Sequence, residues 1–318
     1  MNQPLLSICI PTFNRSTFLA ELLDSIVRQF DGTIAPENIE ICISDNASDD
    51  DTTAVVQLYQ KKFKNIQYHR HAENVGAARN ISSVLKQGVG KYLWLIGDDD
   101  LVTAHAITYI SSVLKNADYG AVLLNFSQGE YENPEIIMLQ NCLHVEEDKI
   151  YEQSRSFFEG NDFKNFFGIN FMSAIIYNRE QFHNVIFDTE AYLDTCYYQS
   201  YVFLYCARTG PLLRIAAPMV IWRSWKEDRR YDEVQTSEEQ IHNVYIAYIE
   251  KSKELGYMFD VAKLAALKRH KIFLLENLNQ GRVRQYFVSI LDFFHMTRFI
   301  KKLYRIPRVM RYNLKKYE

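Results

Sequence analysis

The amino-acid sequence predicts an α/β protein with a mostly parallel sheet flanked by helices, followed by a helical C-terminal extension. The first observation behind this prediction is the alternation of short apolar runs and amphipathic stretches over residues 1–125. The second is that polar clusters follow four of these apolar runs directly. The third is a helical pattern from about residue 237 to the end of the chain.

Five apolar runs predict strands, and the stretches between them have the spacing of amphipathic helices. The predicted strands are 5–10, 39–44, 66–70, 92–97 and 119–127, and the predicted helices are 15–29, 52–62, 77–87 and 105–116. The run 92–97 is apolar almost throughout, which indicates a strand buried on both faces. Farther along the chain, helices are predicted at 157–167 and 193–210, a strand at 173–178, and one or two strands at 212–223.

Four polar clusters stand directly after predicted strands. They are PTFNR at 11–15, SDNASDDD at 44–51, HAENVGAARN at 71–80 and GDDD at 97–100. Ligands of such sheets bind beyond the carboxyl ends of the strands, which share one edge, so we expect the clusters to form one site. A glycine-rich phosphate loop is not found after the first strand, where Pro11 and Asn14 stand instead.

Three consecutive aspartates, Asp98, Asp99 and Asp100, follow the fourth predicted strand. In an extended chain Asp98 and Asp100 would point to the same side. Carboxylate oxygens at that spacing suit Mg²⁺ or Mn²⁺. An aspartate could instead cap the helix that follows, but this role explains one aspartate and not three. We therefore predict a site for Mn²⁺ or Mg²⁺.

Two further side chains are candidates for contacts with a nucleotide. Arg79 lies in the first turn of a predicted helix, where backbone N–H groups also favour anions, and its alternative role is a solvated helix-face arginine. Asp45 could accept a hydrogen bond from a base, or it could form a turn or helix cap. We expect the acids at 49–51 to cap the next helix.

In this order, PTFNR, SDNASDDD, NVGAARN and GDDD resemble the family 2 glycosyltransferases with the GT-A fold, a Rossmann-like sheet flanked by helices. The resemblance covers about residues 5–125, and it is to the abequosyltransferase-like members that decorate bacterial O-antigen repeats of lipopolysaccharide. It implies transfer of a sugar from a nucleoside-diphosphate sugar to a hydroxyl group of a glycan acceptor, with a divalent cation.

The resemblance also implies roles for single residues. Pro11, Thr12 and Asn14 line the nucleoside pocket, Asp45 recognises the base, Arg79 and Asn80 border the ribose or diphosphate, Asp98 and Asp99 belong to the donor-binding D-x-D motif, and Asp100 ligates the metal. Family members often carry a Glu-Asp pair about eleven residues before a glycine, but counting back from Gly210 reaches Tyr198 and Gln199. We choose Asp194 as the catalytic base, with helix capping as its alternative role.

The predicted organisation has three parts. Residues 1–127 are the nucleotide-sugar-binding half, residues 128–235 the acceptor-binding half, and residues 236–318 a helical, basic and amphipathic region. Within the last part, residues 298–318 carry eight Lys or Arg residues and one acid, which favours an anionic membrane surface or a packed helix with solvated cations. On the membrane interpretation the acceptor is a polyprenyl-diphosphate-linked oligosaccharide.

Composition and charge limit the location and the partners of the protein. The 318 residues carry a net charge of −3, which gives no general affinity for nucleic acid. The five cysteines are scattered, the N-terminus does not resemble a signal peptide, and no apolar run reaches the ~20 residues of a membrane span. We therefore expect a cytoplasmic protein that can lie peripherally on the cytoplasmic face of the inner membrane.

Two other function classes stay open from the sequence. A sugar nucleotidyltransferase would also use an α/β nucleotide domain and Mg²⁺, although PTFNR replaces the glycine-rich loop usual in that class. A non-catalytic protein that binds nucleotide sugars or glycans is favoured by the missing Glu-Asp pair.

Overall fold

The structure is a computed structural model that describes residues 3–30, 36–159, 165, 168–195, 197–223 and 247–257. Its described strands form one mixed sheet. The strands are β1 (Leu6–Thr12), β2 (Ile39–Asp45), β3 (Ile66–Arg70), β4 (Tyr92–Leu95), β5 (Leu101–Val102), β6 (Ala121–Gly129), β7 (Ile137–Leu139), β8 (Lys149–Tyr151), β9 (Ile175–Asn178) and β10 (Leu212–Arg223).

The helices alternate with these strands in the first part of the chain. They are α1 (Ser16–Val27), α2 (Thr52–Lys62), α3 (Ala77–Gln87), α4 (Ala106–Asn116), α5 (Arg179–Thr189) and α6 (Tyr198–Cys206), and residues 247–254 are also helical. In the first 129 residues every predicted strand and helix is present, with ends that differ from the prediction by at most two residues. The alternation of apolar runs and amphipathic stretches therefore predicted this part of the fold correctly.

The order of the strands places β1 inside the sheet. The order is β3-β2-β1-β4-β9-β6-β10-β5, with β7 paired to β6 and β8 paired to β10. Strands β3, β2, β1 and β4 are mutually parallel, while β9 is antiparallel to both of its neighbours, β4 and β6. In the register, Thr12 lies opposite Asp45, and Asp45 lies opposite Arg70. The carboxyl ends of the first three strands therefore reach one edge together.

The core follows the apolar runs of the central strands. Every residue of β1, β2 and β4 is buried, which confirms that the fourth predicted strand is covered on both faces. Trp94 of β4 is fully buried, and its indole N–H donates to the carbonyl of Ser173 over 2.9 Å. Helix α3 packs on β1 and β2. This packing fixes the strand ends that carry the polar clusters.

The structure differs from the sequence prediction at three helical segments in the later part of the chain. The helix predicted at 193–210 is shorter, because α6 spans Tyr198–Cys206 and Gly210 is extended with φ −165°. Helix α5 was not predicted; it begins after Asn178, whose side chain accepts from the N–H groups of Glu180 and Gln181. Of the helix predicted at 157–167, the described part begins as a 3₁₀ turn at Ser154–Phe158.

The predicted halves of the domain share one sheet. Strand β9, from the second predicted half, lies between β4 and β6 of the first. The separate binding roles of the two halves stay predictions. The helical extension at 236–318 lies largely outside the described residues, and the basic segment 298–318 lies entirely outside them. Within the described part of the chain, no helix has both the length and the apolar character needed to cross a bilayer.

Candidate functional site

The first and fourth polar clusters meet at the carboxyl edge of β1 and β4. The hydroxyl group of Thr12, at the end of β1, donates to Asp98 Oδ2 over 2.7 Å. Thr12 is 2% exposed and Asp98 is 4% exposed, so this hydrogen bond is buried. The expectation that separate polar clusters come together at this edge is confirmed for these two residues.

The three aspartates lie on a turn and not on extended chain. The N–H group of Asp100 donates to the carbonyl of Gly97 over 3.2 Å, which closes the turn. The extended chain that was expected at Asp98 and Asp100 is therefore not present, and the two carboxylates have different partners: Asp98 accepts from Thr12, while Asp100 accepts from the Ser173 hydroxyl group. A Cβ atom at Gly97 would lie 3.0 Å from Met172 Cε and 3.2 Å from carboxylate oxygens of both Asp99 and Asp100, so a larger residue there would require these side chains to shift.

Helix capping does not explain the aspartates. The next helix, α4, begins only at Ala106, and the short strand β5 lies between it and the turn. The N-cap residue of α4 is His105, which has a left-handed backbone with φ 64°. No aspartate therefore stands at the start of this helix. The alternative role that the sequence allowed for this motif is therefore wrong.

Arg15 holds two of the three aspartates together. Its Nη1 atom lies 3.0 Å from Asp98 Oδ1 and 2.9 Å from Asp99 Oδ2. Arg15 belongs to the PTFNR cluster, but the sequence alone assigns it no role. The available signal was charge, since a guanidinium group in one strand-end cluster complements three acids in another.

Asp100 lies in a different electrostatic environment. It is 3% exposed, and its carboxylate accepts from the Ser173 hydroxyl group and from the backbone N–H of Arg223 over 3.3 Å. Both donors are neutral, and within the described residues no salt bridge reaches this carboxylate. Burial raises the pKa of Asp100 well above its ordinary value, and the negative charges of Asp99 and Asp98 raise it further.

The pKa of Asp98 is also raised by burial, but less than that of Asp100. Burial raises the pKa of Asp98 to about 6; the Arg15 guanidinium opposes this rise, and the charge of Asp99 adds to it. Crowded, buried carboxylates of this kind are stabilised by a nearby cation. The donor set thus fits a hard, oxygen-preferring ion such as Mg²⁺ or Mn²⁺.

The protein supplies only part of a metal coordination shell at this turn. In the described ranges, no three His, Cys, Asp or Glu side chains form a group that could hold a metal ion by themselves. Mg²⁺ is commonly held by one or two carboxylates together with water and phosphate oxygens of a substrate. Asp100, a carboxylate without an ion-pair partner among the described residues, could contribute one ligand to such a shell.

Arg223 supports the aspartate turn through several contacts, and sequence reasoning missed it. This residue ends β10, and its side chain donates to the carbonyls of Asp99, over 2.9 Å, and Tyr131, over 2.7 Å. It also pairs with Glu21 of α1. No local pattern marks such a residue, because its partners lie far from it in the sequence.

The second polar cluster is organised around a buried carboxylate. Asp45 is fully buried; its Oδ1 accepts from the N–H of Ser48 over 2.8 Å, and its Oδ2 accepts from the Tyr68 hydroxyl group over 2.6 Å. Arg70 approaches the same Oδ2 to 3.6 Å. The turn role that the sequence allowed for Asp45 is therefore present, and base recognition by Asp45 stays a prediction.

The loop after β1 is tied to the loop after β2. Asn14 has a left-handed backbone with φ 52°, its N–H donates to Ser48 Oγ over 2.9 Å, and its side-chain oxygen accepts from the N–H of Asp49 over 2.9 Å. Asp50 accepts from the N–H groups at the start of both α1 and α2, those of Ser16 and Thr52. The predicted capping role of this acidic run is confirmed for Asp50, whereas Asp51, at the N-cap position of α2, makes no side-chain capping hydrogen bond.

The other predicted residues of the nucleoside pocket differ in exposure. Pro11 is a buried residue of β1 opposite Ser44. Phe13, between Thr12 and Asn14, is 41% exposed, and an exposed aromatic ring in an otherwise polar loop is a signal that sequence reasoning did not use.

Asn80 connects the strand ends from the α3 side. Its side-chain NH₂ group donates to the carbonyls of Ser44, over 3.0 Å, and Thr12, over 3.4 Å. The residue is 3% exposed, and its Oδ1 atom is buried without a hydrogen-bond partner among the described residues. Gly76, with φ 87°, precedes α3 and gives the chain the turn that places this helix start beside β1 and β2.

The predicted catalytic base and the predicted diphosphate ligand are paired. Arg79 Nη2 lies 2.9 Å from Asp194 Oδ1, and their side chains are 51% and 82% exposed. A second ion pair, Lys86 to Glu190 over 3.8 Å, joins the same helix to the same segment. At the position of the expected Glu-Asp pair, the structure has the buried neutral residues Tyr198 and Gln199.

The comparison with protein families decides the class. Residues 7–182, more than half of the chain, match the family described as glycosyl transferase family 2. The chain is a family 2 glycosyltransferase. Family membership confirms the predicted enzyme class and favours it over a sugar nucleotidyltransferase or a non-catalytic binding protein.

Two curated relatives of this glycosyltransferase are named as bacterial glycosyltransferases. It is 30% identical to the abequosyltransferase RfbV of Salmonella typhimurium over 240 residues, which cover 69% of this chain and 66% of that protein. It is 33% identical to the GalNAc(5)-diNAcBac-PP-undecaprenol β-1,3-glucosyltransferase of Campylobacter jejuni over 118 residues, 37% of this chain and 36% of that protein. The chain thus spans less than two thirds of either relative.

Solved structures confirm the GT-A fold. TarS from S. aureus, in complex with UDP, superposes with a TM-score of 0.60 at 14% identity, over 82% of this chain and 69% of that chain. The mannosyltransferase PcManGT from Pyrobaculum calidifontis, in complex with GDP-Man and Mn²⁺, gives a TM-score of 0.50 at 14% identity, over 96% and 89%. At this identity the likeness concerns the fold alone.

Proposed function

We propose that this glycosyltransferase moves a sugar from a nucleoside-diphosphate sugar to a hydroxyl group of a glycan acceptor, with Mn²⁺ or Mg²⁺ as cofactor. The main supporting observation is the convergence of Thr12, Asp98 and Asp100 at the carboxyl edge of the sheet, where ligands of α/β folds bind. TarS is seen with UDP, and PcManGT with GDP-Man and Mn²⁺, on the same fold.

Asp100 is the residue that would hold the divalent cation. It is a buried carboxylate whose described partners are neutral, and its raised pKa reflects burial and neighbouring negative charge. When bound, such an ion acts as a Lewis acid that shares the negative charge of the leaving nucleoside diphosphate. Asp98 and Asp99, which pair with Arg15, would lie next to the bound ion.

The nucleoside would occupy the loops that follow β1 and β2. Asn14 and the segment around Ser48 hold these loops together, and the exposed ring of Phe13 offers a face on which a base could stack. Asp45 organises the second loop and is our candidate for base recognition after a local adjustment, because its carboxylate is fully buried. The unpartnered Oδ1 of Asn80 is an acceptor suited to a ribose hydroxyl group.

Arg79 and Asp194 would act one after the other, first in donor binding and then in proton transfer. The guanidinium group of Arg79, in the first turn of α3, would exchange its ion pair for the diphosphate of the donor. This exchange would release the carboxylate of Asp194, which is 82% exposed, to take the proton from the attacking acceptor hydroxyl group.

The acceptor that we propose is a lipid-linked precursor of a surface polysaccharide. The Campylobacter relative is named for an undecaprenyl-diphosphate-linked glycan, and another relative, from Bacillus spizizenii, is named a poly(ribitol-phosphate) β-glucosyltransferase. The basic segment 298–318 would bring the enzyme to an anionic membrane surface.

A thermal-shift screen of the full chain against nucleotide sugars, with and without Mn²⁺, tests the proposal. A ligand that binds only the native state raises the melting temperature, so the donor should do so in a metal-dependent manner. Incubation of that donor with glycan acceptors should then release nucleoside diphosphate and lengthen the glycan by one sugar. Release of pyrophosphate instead, or no metal-dependent shift with any donor, would contradict the proposal.

A further inference from the structure

Arg15 contacts two neighbouring carboxylates with one nitrogen atom. Its Nη1 lies 3.0 Å from Asp98 Oδ1 and 2.9 Å from Asp99 Oδ2. The Asp98 side chain is 6% exposed, so the ion pair is sheltered from water on its acidic side. The second oxygen of Asp98 accepts from Thr12 over 2.7 Å. Both oxygens of Asp98 are therefore engaged by protein donors.

The backbone on both sides of Arg15 is anchored. Asn14 before it has φ 52° and hydrogen bonds to Ser48 and Asp49, while the N–H of Ser16 after it donates to Asp50 over 2.8 Å. The backbone at Arg15 is therefore held on both sides, and from this position the guanidinium group reaches the aspartate turn.

Arg15 makes the three aspartates unequal toward a cation. Both oxygens of Asp98 accept from protein donors, and one oxygen of Asp99 pairs with Arg15. At either carboxylate a metal ion would therefore compete with a guanidinium group that stays charged at all working pH values. At Asp100 it would meet a carboxylate whose described partners are the Ser173 hydroxyl group and a backbone N–H.

We propose that Arg15 is a positioning residue of the metal site, which pairs with Asp98 and Asp99 and leaves Asp100 as the carboxylate that receives the divalent cation. This inference rests on the proposed function, which assigns a cation to this turn. Arg15 then also sets the affinity of the site for metal alone. By repelling a free cation, it keeps metal binding weak until a donor diphosphate adds its own negative charge.

The test is the binding of Mn²⁺ alone, followed by the electron paramagnetic resonance signal of the free ion. A guanidinium group and a divalent cation about 6 Å apart repel each other enough to change affinity about tenfold in a water-like dielectric. Arg15→Gln should therefore bind Mn²⁺ about tenfold more tightly than the wild type. Arg15→Lys keeps the charge and should stay near the wild-type affinity, which a purely structural role would not produce.

A double variant identifies which carboxylates bind. Asp100→Asn should lose Mn²⁺ binding when Arg15 is present, whereas Arg15→Gln combined with Asp100→Asn should regain it through Asp98 and Asp99. If Arg15→Gln binds Mn²⁺ no more tightly than the wild type, or if the double variant shows no recovery, the inference is overturned. Thermal unfolding of each variant checks that it is folded.

A crystal structure of the wild type with Mn²⁺ is a second measurement that needs no variant. We expect the ion to bind Asp100 while Arg15 still contacts Asp98 and Asp99. An ion bound to Asp98, with Arg15 displaced from it, would overturn the inference. Failure of the proposed function has a different signature, because it would appear as metal-independent donor binding or absent transfer by the wild-type enzyme.

Discussion

Arg79 and Asp194 form an ion pair across 2.9 Å, although they lie in segments more than one hundred residues apart in the sequence. Both side chains are at least half exposed, and exposed pairs of this kind contribute about 0–1 kcal/mol. The pair therefore costs little to break. A donor diphosphate that attracts Arg79 can separate it from Asp194 without disturbing the fold.

The first prediction concerns Asp194→Asn. If Asp194 is the general base, kcat should fall by about 10²- to 10⁴-fold. Donor affinity should stay equal or rise, because Arg79 is no longer held by an acid. Steady-state kinetics and donor titration measure both quantities. The matched control is Glu190→Gln, which removes the neighbouring pair with Lys86 and should leave kcat within about twofold. A large loss of donor affinity with unchanged kcat would instead make Asp194 only an anchor for Arg79.

The second prediction separates stability from activity at Asp100. Burial and the adjacent charges raise the pKa of Asp100, so its ionised form is unfavourable in the ligand-free protein. Asp100→Asn should therefore leave the melting temperature unchanged or raise it, while the metal-dependent shift with donor disappears and kcat/KM falls at least about 100-fold. Asp118→Asn, at an exposed acid paired with Lys91, is the control and should keep full activity. A clear drop in melting temperature without loss of activity would refute the assigned role.

Local sequence patterns could predict the first half of the fold because they are the physical cause of its elements. The apolar run Tyr92–Leu95 and the helical spacing of Ser16–Val27 determine what each segment forms. Strand β9 is different, because nothing in Ile175–Asn178 indicates that it inserts antiparallel between β4 and β6. Helix α5 had a usable signal, the capping residue Asn178 followed by an acid in the first turn.

In the candidate site, too, some features could be predicted from local sequence and others depend on the tertiary structure. The residue types and strand ends predicted an acidic turn, since three aspartates after a buried strand are unfavourable without a partner. Charge complementarity indicates Arg15 as a candidate partner, but the pairing itself could not be predicted, because Arg15 and Asp98 are separated by 83 residues and meet only through the sheet register. Asp98 and Asp100 point to different partners because the chain turns at Gly97, a change of direction that a strand pattern cannot show.

The third prediction concerns alkaline pH. Burial, with a contribution from the Asp45 carboxylate, raises the pKa of Tyr68 to about 12, and burial raises the pKa of Tyr92 to about 12. In the unfolded chain the pKa of tyrosine is about 10. The stability that these neutral hydroxyl groups contribute is therefore complete below pH 10 and is lost as the pH rises toward 12.

Urea denaturation at pH 8, 10 and 11 measures this loss. The free energy of unfolding should be similar at the first two values and lower at pH 11. Tyr68→Phe removes one titrating group and should make the decrease from pH 10 to pH 11 smaller. An unchanged decrease in the variant would show that Tyr68 does not take part.

The fourth prediction concerns the basic segment 298–318, which lies outside the described residues. Its cations should bind anionic lipid, with about 1 kcal/mol for each Lys or Arg near the surface. Deletion of the segment should shift the protein from membrane to free fractions on anionic vesicles, with the metal-dependent binding of donor retained. Neutral vesicles are the control. Equal partitioning of the two proteins on anionic vesicles would assign membrane contact to another part of the chain.

The last prediction tests the support of the aspartate turn by Arg223. Its side chain is 3% exposed, pairs with Glu21 and donates to the carbonyls of Asp99 and Tyr131. Arg223→Met would leave these acceptors without their donor, at a cost of about 3 kcal/mol in the free energy of unfolding. Because the Asp99 carbonyl belongs to the turn, the metal-dependent donor shift should weaken even at temperatures where the variant is folded.

Glu21→Gln is the matched variant for Arg223. Glu21 has a side chain that is 44% exposed, and the amide can still accept from the guanidinium group, so the expected cost is only about 1 kcal/mol. Denaturant unfolding and donor titration of the two variants should therefore separate, with the large effect confined to Arg223→Met. If both variants lost equal stability and kept full donor binding, Arg223 would support only the packing of α1 against β10, and the placement of Asp99 and Asp100 would depend on Arg15 and Ser173.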